Sequence, residues 1–229
     1  FIFEHFDKII GPEENSLFLG KWKTRWTAIE GARGYFDKIT EELVDPANLA
    51  ASPDPFRQGI ARAYSAYETA LFANNRTDFA HLQSIVHGLL LKSEHNGALA
   101  SEIRYMLVDE YQDTNYVQEQ LLLKLTALTN NLCVVGDEDQ SLYRFRGATV
   151  RNILEFPSRF PKCPVVRLTT NYRSHRAIVE RYDRWMASTD WTNPAGAPFR
   201  FDKTIEADPK GQHPNYPAVI SIWGRDARD

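Results

Sequence analysis

Residues 105–118 read YMLVDEYQDTNYVQ, an apolar run that ends in two adjacent acids, Asp109 and Glu110. A third acid, Asp113, follows within about one helical turn. Such a pair has two interpretations. It can be a solvated strand end that caps the next helix, or it can hold Mg²⁺ and activate water beside a nucleotide phosphate. The rest of the chain has to decide between them.

The composition is that of an ordinary globular protein. The chain has 229 residues, 43% of them hydrophobic and 25% charged, with a formal net charge of −3. This length is enough for one large domain or two small ones. The net charge argues against a basic coat over the whole surface, but it does not exclude a local cationic groove for nucleic acid.

Cysteine usage and hydropathy indicate the cellular location of the protein. Cys133 and Cys163 form neither a disulfide framework nor a metal-ligand spacing, and Cys133 lies in an apolar run where we expect a buried thiol. The sequence has no apolar run long enough for a membrane and no signal peptide, so a cytoplasmic location is expected. The start at Phe1 and the end without a stop signal predict an internal piece of a longer protein.

The first hundred residues have helical periodicity. Apolar residues recur at helical spacing in two stretches, and Asp54 with Pro55, and later Asp78, are predicted to begin the two helices. The stretches are Phe56, Ile60, Tyr64, Tyr67 and Leu71, and then Phe79, Leu82, Val86 and Leu89. Residues 1–102 are therefore predicted to be a helical packing domain.

From residue 103 the pattern changes to alternating strands and helices. Apolar runs at 105–109, 132–135 and 165–169 are separated by amphipathic segments of helical length. This order predicts an α/β fold with three neighbouring parallel strands covered by helices. Ligands of such sheets bind beyond the carboxyl ends of the strands, where this chain has the clusters DEYQD, GDEDQS and NYRS.

The second cluster lies in VVGDEDQSLYRFRGA, residues 134–148. Gln140 is a candidate for hydrogen bonding to a terminal phosphate. Tyr143 and Phe145 alternate with Arg144 and Arg146, a pattern in which aromatic rings stack on single-stranded bases while arginines neutralise phosphates. The alternative is that the two rings are core residues and the arginines lie on the surface.

The third cluster places Tyr172 beside Arg173 just after a predicted strand. An arginine delivered across a cleft can stabilise charge on a transferring phosphoryl group, and a tyrosine beside it can stack on a purine. Alone, this dipeptide is a weak signal, and an ordinary exposed Tyr-Arg pair is the favoured interpretation.

Taken together and in this order, the clusters resemble motifs of the UvrD/Rep/PcrA-like superfamily 1 DNA helicases. VDEYQDTN resembles motif II of that family, VVGDEDQSLYRFRGA motif III and LTTNYRS motif IV, and DFAHL at 78–82 is similar to a weaker upstream segment. The resemblance implies part of a RecA-like parallel-sheet motor domain preceded by a helical insertion. Residues 1–102 would be the insertion, 103–172 the C-terminal part of the first motor domain, and 173–229 the hinge and the start of a second.

The resemblance also implies roles at the nucleotide. Asp109 would ligate Mg²⁺, Glu110 would activate water, and Gln140 would contact the γ-phosphate of ATP. Arg173 would act as the arginine finger and Tyr172 would stack on adenine. The implied cofactors are therefore ATP and Mg²⁺.

The implied partners are single-stranded DNA and duplex junctions, contacted through Tyr143, Phe145 and Arg146. Two positions depart from the family pattern. Phe145 stands where relatives more often have Trp, which gives a smaller stacking surface. Arg144 stands where a small polar residue is usual.

The largest departure is the phosphate loop, because no G-x-x-x-x-G-K-[ST] string occurs in the chain and Gly20-Lys21 is the nearest partial match. The sequence therefore predicts a piece of an ATP-dependent helicase that does not hydrolyse ATP by itself. A catalytically inactive single-stranded-DNA-binding module is the alternative. Another kind of phosphate-loop ATPase is disfavoured by the aromatic and arginine elements.

Overall fold

The computed structural model describes residues 1–11, 24–141, 151–193, 195–196, 198 and 200–211. The chain divides into two compact units, Phe1–Ile153 and Leu154–Asp229. The first unit contains a helical region followed by two strands with their connecting helix. The second contains a helix and a short parallel strand pair.

Helices account for most of the described part of the first unit up to residue 102, as predicted. In chain order they are α1 (Phe6–Ile9), α2 (Arg25–Glu41), α3 (Pro46–Ala50), α4 (Pro55–Ala73), α5 (Phe79–Leu90) and α6 (Ser93–Glu102). An apolar core joins α1, α2 and α4, and its largest side chains with less than 2% exposure include Phe6 and Phe36.

The helix starts predicted from the sequence are confirmed. The Asp54 side chain accepts a hydrogen bond from the Phe56 N–H, with Pro55 at the first helical position. The Asp78 side chain accepts one from the His81 N–H at 2.7 Å. These carboxylates satisfy amide donors that the first helical turn leaves unpaired, so α4 and α5 begin where the sequence places them.

The parallel pairing of the first two strands is also confirmed. β1 (Met106–Val108) and β2 (Leu132–Val134) pair with Leu107 opposite Cys133, and α7 (Tyr116–Leu125) connects them. The ladder continues past the strands, because the Val135 N–H donates to Val108 O at 2.8 Å and the Tyr111 N–H donates to Val135 O at 2.9 Å. The segments that follow β1 and β2 therefore leave the same edge of the pair.

The prediction of a third strand over 165–169 is wrong. The residues that do form a strand are β3 (Thr170–Asn171), which pairs in parallel with β4 (Glu206–Ala207). Val166 and Leu168 are each 81% exposed. An apolar run indicates extended backbone, but a strand exists only where a second backbone supplies hydrogen bonds, and the run itself does not specify that partner.

The strands were predicted to be covered by helices and Cys133 to be buried, but one face of the β1–β2 pair is exposed. Cys133 is exposed rather than buried, and Leu107 opposite it is 77% exposed. Successive side chains of a strand point to opposite faces, so Leu132 and Val134 are the partly buried ones. The apolar face of α5 is also exposed in part, since Phe79 is 86% exposed. The helix itself forms where the apolar spacing predicted it.

The main helix of the second unit is α9 (Arg176–Ala187). The boundary between the two units in the sequence falls within α8 (Arg151–Arg159). The Asp183 side chain accepts a hydrogen bond from the Ile205 N–H at 3.2 Å, which ties α9 to the segment that leads into β4. Trp191 donates to Met186 O at 2.7 Å and closes the end of α9. In the part of the chain that the structure describes, no helix is both long and apolar enough to cross a membrane.

Candidate functional site

The turn after β1 carries Asp109 and Glu110, and both side chains are exposed at the strand end. Asp109 Oδ1 accepts a hydrogen bond from the Glu110 N–H at 2.9 Å. Glu110 has φ of 50° in the left-handed region, which non-glycine residues adopt rarely and at some energetic cost. This backbone reverses the chain directly after the strand and leads into a 3₁₀ turn at Tyr111–Asp113.

Gln112 lies beneath this turn and is only 1% exposed. Its Nε2 donates to Glu110 Oε2 at 2.7 Å, and its Oε1 accepts from the Asp137 N–H at 3.0 Å. The Gln112 side chain therefore connects the turn after β1 with the loop after β2. Neither contact was predicted, although the sequence places Gln112 inside the DEYQD cluster.

The loop after β2 approaches Gln112 closely at Gly136. A Cβ atom at this position would lie 2.6 Å from Gln112 Oε1 and 2.8 Å from Ile153 Cδ1. No side chain fits there without displacing a neighbour, so glycine is required by close approach. Asp137 then caps a 3₁₀ turn at Glu138–Gln140 by accepting from the Asp139 N–H, and its Oδ2 accepts from Gln140 Nε2 at 2.8 Å.

Asp113 is the third acid of the cluster. Its Oδ1 is enclosed without a hydrogen-bond partner among the described residues. Burial raises the pKa of Asp113, and the negative charge of Glu110 raises it further. The protonated acid is therefore favoured at Asp113 more than at an ordinary aspartate, because an enclosed carboxylate oxygen without a donor disfavours the charged form.

The helix after the turn is tied to the helical region through Asn115. Asn115 caps α7 by accepting from the Gln118 N–H, and its Nδ2 donates to Gln83 Oε1 of α5 at 3.1 Å. It also lies near Glu41 at the end of α2. Burial and the charge of Asp37 raise the pKa of Glu41 to about 7, while the nearby Asn115 side chain acts in the opposite direction.

The DFAHL segment forms a second polar contact in the helical region. Tyr67 of α4 donates to Asp78 Oδ2 at 2.7 Å, and His81 Nδ1 lies 2.9 Å from the same oxygen. Burial opposes ionisation of Asp78, but the hydrogen bonds from His81 and Tyr67 lower its pKa to about 2. Burial likewise opposes a charge on His81, but the Asp78 hydrogen bond raises its pKa. This segment therefore joins α4 to α5.

Tyr172 and Arg173 belong to the second unit. Tyr172 is 77% exposed, and Arg173 is exposed as well. The Asn171 side chain accepts from the N–H groups of Arg173 and Ser174 at 2.9 and 2.8 Å, which fixes the backbone of the turn. Tyr143, Phe145 and Arg146, the residues predicted to contact DNA, lie outside the described residues.

The donor set at the turn after β1 suits Mg²⁺ shared with phosphates. Within the described ranges no group of three or more His, Cys, Asp or Glu side chains is placed to hold a metal. Mg²⁺ does not need such a cage, because it typically binds one or two carboxylates together with substrate phosphates and water. The exposed carboxylate of Asp109 at a strand end fits that kind of site.

Comparisons with known proteins show similarity over most of the chain. The chain matches the family model described as the UvrD/REP helicase N-terminal domain over residues 7–161. It is 34% identical over 165 residues to the ATP-dependent DNA helicase PcrA of Staphylococcus aureus (strain Mu50 / ATCC 700699), which covers 71% of this chain and 23% of that protein. It is 37% identical over 153 residues to the ATP-dependent DNA helicase UvrD1 of Mycobacterium bovis (strain ATCC BAA-935 / AF2122/97), which covers 62% of this chain and 20% of that protein.

The chain spans less than about a quarter of the length of these curated relatives. The match to the family model nevertheless extends over more than half of the chain and includes the turns after β1 and β2. The resemblance found in DEYQD and GDEDQ is thus supported by similarity over a much longer stretch. The chain belongs to the UvrD/REP helicase family.

Proposed function

We propose that this chain is the part of an ATP-dependent DNA helicase that supplies the metal-binding acid, the water-activating acid and the phosphate-sensing glutamine. The observation that carries the proposal is the joining of the two strand-end segments. β1 and β2 are parallel, so their carboxyl ends lie at one edge, and Gln112 hydrogen-bonds to both segments. Ligands of parallel sheets bind at such an edge.

The roles at this edge follow from the chemistry of the side chains. Asp109 would hold Mg²⁺, which would neutralise charge on the phosphates of bound ATP. Glu110, whose carboxylate is exposed beside it, would orient and deprotonate the attacking water. Gln140 would hydrogen-bond to the γ-phosphate. We infer that β1, α7 and β2 are part of a RecA-like motor domain.

The remaining roles rest on the family membership and on the residue types. Arg173 would stabilise charge on the transferring phosphoryl group, and Tyr172 would stack on adenine. Their exposure in the second unit leaves both side chains accessible to a nucleotide. Tyr143, Phe145 and Arg146 would contact single-stranded DNA at duplex junctions, with the rings on bases and the guanidinium on phosphate.

The proposed organisation assigns residues 1–102 to a helical insertion and 103–172 to the end of the first motor domain. Residues 173–229 would form the hinge and the start of the second. The chain contains no phosphate-loop string, so we expect it to hydrolyse no ATP when purified alone. Turnover by the 229-residue chain that Glu110→Gln abolishes would contradict this expectation.

The test of the proposed function compares two carboxylates in the complete gene product. Glu110→Gln should lower single-stranded-DNA-stimulated ATP hydrolysis by about 10²–10⁴-fold, because general-base catalysis contributes that much. Glu102→Gln, which changes an exposed acid four residues before β1, should leave turnover within about twofold. Equal rates for the two variants would remove Glu110 from the reaction.

The absence of a phosphate-loop string also favours a second candidate, an inactive module that binds single-stranded DNA. Fluorescence anisotropy of the 229-residue chain with labelled single-stranded DNA tests the shared DNA surface. Phe145→Ala should weaken binding by about 10–100-fold, since base stacking is worth about 1–3 kcal/mol per base. Phe72→Ala, which removes a ring that is 88% exposed on α4, is the matched control.

If the inactive-module candidate is right, the complete gene product should bind DNA and show no ATP turnover. If the helicase proposal is right, the complete product should hydrolyse ATP and DNA should stimulate it. DNA binding in both cases should fall as the salt concentration rises, because phosphate contacts release counterions. Unchanged DNA affinity in Phe145→Ala together with a large loss of thermal stability would instead place Phe145 in the core.

A further inference from the structure

We propose that Gln112 is a positioning residue that couples Glu110 to Gln140, so that water activation and phosphate sensing depend on each other. This inference rests on the proposed function of those two residues and goes beyond it. Gln112 would not touch the reacting atoms. It would act by holding Glu110 and by fixing the loop to which Gln140 belongs.

The first step is the orientation of the Gln112 amide. Both of its polar atoms are used, because Nε2 donates to Glu110 Oε2 at 2.7 Å while Oε1 accepts from the Asp137 N–H at 3.0 Å. The side chain is 1% exposed, so water does not compete readily for these partners. A buried amide held at both ends has one favourable orientation, and hydrogen bonds at such positions are costly to lose.

The second step is the close packing that holds the amide in place. Gly136 lets the loop after β2 approach so closely that a Cβ would lie 2.6 Å from Gln112 Oε1 and 3.3 Å from the Gln112 N. On the other side, the left-handed backbone of Glu110 turns its carboxylate back toward the Gln112 amide. The polar link is therefore supported by backbone on both sides.

The third step is the connection from Asp137 to Gln140. Asp137 Oδ2 accepts from Gln140 Nε2 at 2.8 Å, and Asp137 Oδ1 accepts from the Asp139 N–H at 3.1 Å. A continuous path of hydrogen bonds and one residue of backbone thus runs from Glu110 through Gln112 and Asp137 to Gln140. A change in the loop that carries Gln140 alters the position of the Asp137 N–H, and through Gln112 the position of the Glu110 carboxylate.

The experiment is steady-state ATP hydrolysis by the complete gene product with saturating single-stranded DNA. Gln112→Met keeps the length of the side chain and removes both polar atoms, and it should lower kcat by about 10–100-fold, the usual effect of removing a partner that orients a reactive ligand. The KM for ATP should change by less than about threefold. Tyr111→Phe is the matched control, because it removes another buried hydrogen bond of the same turn, from Tyr111 to Glu119, and should leave kcat within about twofold.

The coupling itself is tested by a double-mutant cycle with Gln140→Ala. If Gln112 connects Glu110 with Gln140, the double variant should lose much less activity than the product of the two single losses. Multiplicative losses would overturn the coupling. If Gln112→Met does not fold by circular dichroism, Gln112→Asn replaces it, since this shorter amide cannot reach Glu110 and the Asp137 N–H at the same time.

The failure of this inference can be distinguished from failure of the proposed function. If Glu110→Gln abolishes turnover while Gln112→Met matches Tyr111→Phe, the site is right and the positioning role is wrong. If Glu110→Gln leaves turnover intact, the proposed function is wrong, and the positioning role of Gln112 is wrong as well. Equal losses in Gln112→Met and Tyr111→Phe would assign Gln112 a structural role alone.

Discussion

The turn after β1 carries the acids Asp109 and Glu110, and the turn after β3 carries Tyr172 and Arg173. Both pairs are predicted to act on the nucleotide, but different hydrogen bonds hold the two turns. The buried Gln112 side chain holds the Glu110 carboxylate, and Asp109 accepts from the Glu110 N–H. In the turn after β3 the Asn171 side chain fixes the backbone, while Tyr172 and Arg173 are exposed. A buried side chain therefore holds the Glu110 carboxylate, whereas Asn171 fixes the backbone of the Tyr-Arg turn and not its two exposed side chains.

The largest expected effect concerns the exposed turn. Arg173→Ala in the complete gene product should lower ATP turnover by about 10³–10⁵-fold, because an arginine in the proposed role would act on charge that develops in the transition state. Its unfolding midpoint should stay close to the parent value, since the side chain is exposed.

Arg181→Ala, which removes an exposed arginine of α9, is the control for general loss of positive charge. The measurement is ATP turnover with saturating DNA, together with thermal unfolding. Turnover within a few fold of the parent would remove Arg173 from the site. The turn after β3 would then keep only the proposed contact of Tyr172 with adenine.

The second effect concerns the packing of the loop after β2 against Gln112, and we expect it in the free energy of unfolding. Gly136→Ala should destabilise the 229-residue chain by about 1–3 kcal/mol, because the added methyl group meets Gln112 and Ile153 at less than 3.0 Å. Gly88→Ala is the matched control. A Cβ at this position in α5 meets nothing within 4 Å, and alanine is favoured over glycine in a helix by up to about 1 kcal/mol.

Urea unfolding followed by circular dichroism measures both changes on the same chain. The two substitutions are chemically identical and should have opposite signs. If Gly136→Ala is as harmless as Gly88→Ala, the loop after β2 is not packed against Gln112 in solution. The contrast between the two turns would then lose its structural basis.

The smallest expected effect is a pH dependence of stability at Glu41, the last residue of α2. The pKa of Glu41 is raised from 4.5 to about 7 by burial and by Asp37, so the folded chain binds this proton more tightly than the unfolded chain does. The corresponding stability is fully present below pH 4.5 and is lost as the pH rises through about 7. Glu41→Gln should remove this slope, which cannot exceed about 1.4 kcal/mol per pH unit for one group.

Urea unfolding of parent and variant at several pH values between about 5 and 8 measures this difference. Partial exposure of Glu41 makes the real slope smaller than the upper limit. Glu30→Gln, at an exposed position of α2, is the control and should retain the slope of the parent. Identical slopes for the parent and Glu41→Gln would show that Glu41 is not buried beside Asp37 in solution.

Local signals predicted much of this fold correctly. Asp54, Pro55 and Asp78 mark helix starts because capping depends on residues a few positions apart. The pairing of β1 with β2 followed from two apolar runs joined by a helical segment. The strand predicted at 165–169 failed because a strand partner is a non-local property that an apolar run does not encode.

The residues of the candidate site could be predicted from the sequence, but the hydrogen bonds between them could not. The sequence located Asp109, Glu110 and Gln140 by residue type and position in the motifs, and their roles remain predictions. Gln112 could not be recognised as a link, because its burial arises only when the loop at Gly136 packs against it. Sequence proximity therefore identified the cluster, while its internal hydrogen bonds required the structure.

The exposed face of the β1–β2 pair has a practical consequence for spectroscopy. Cys133 is exposed on this face, directly opposite Leu107, and Cys163 is the only other cysteine in the chain. A Cys163→Ser variant would therefore carry a single thiol for a fluorescent maleimide. Because Cys133 pairs with a residue two positions before Asp109, the emission of such a dye would report when another surface covers this side of the sheet.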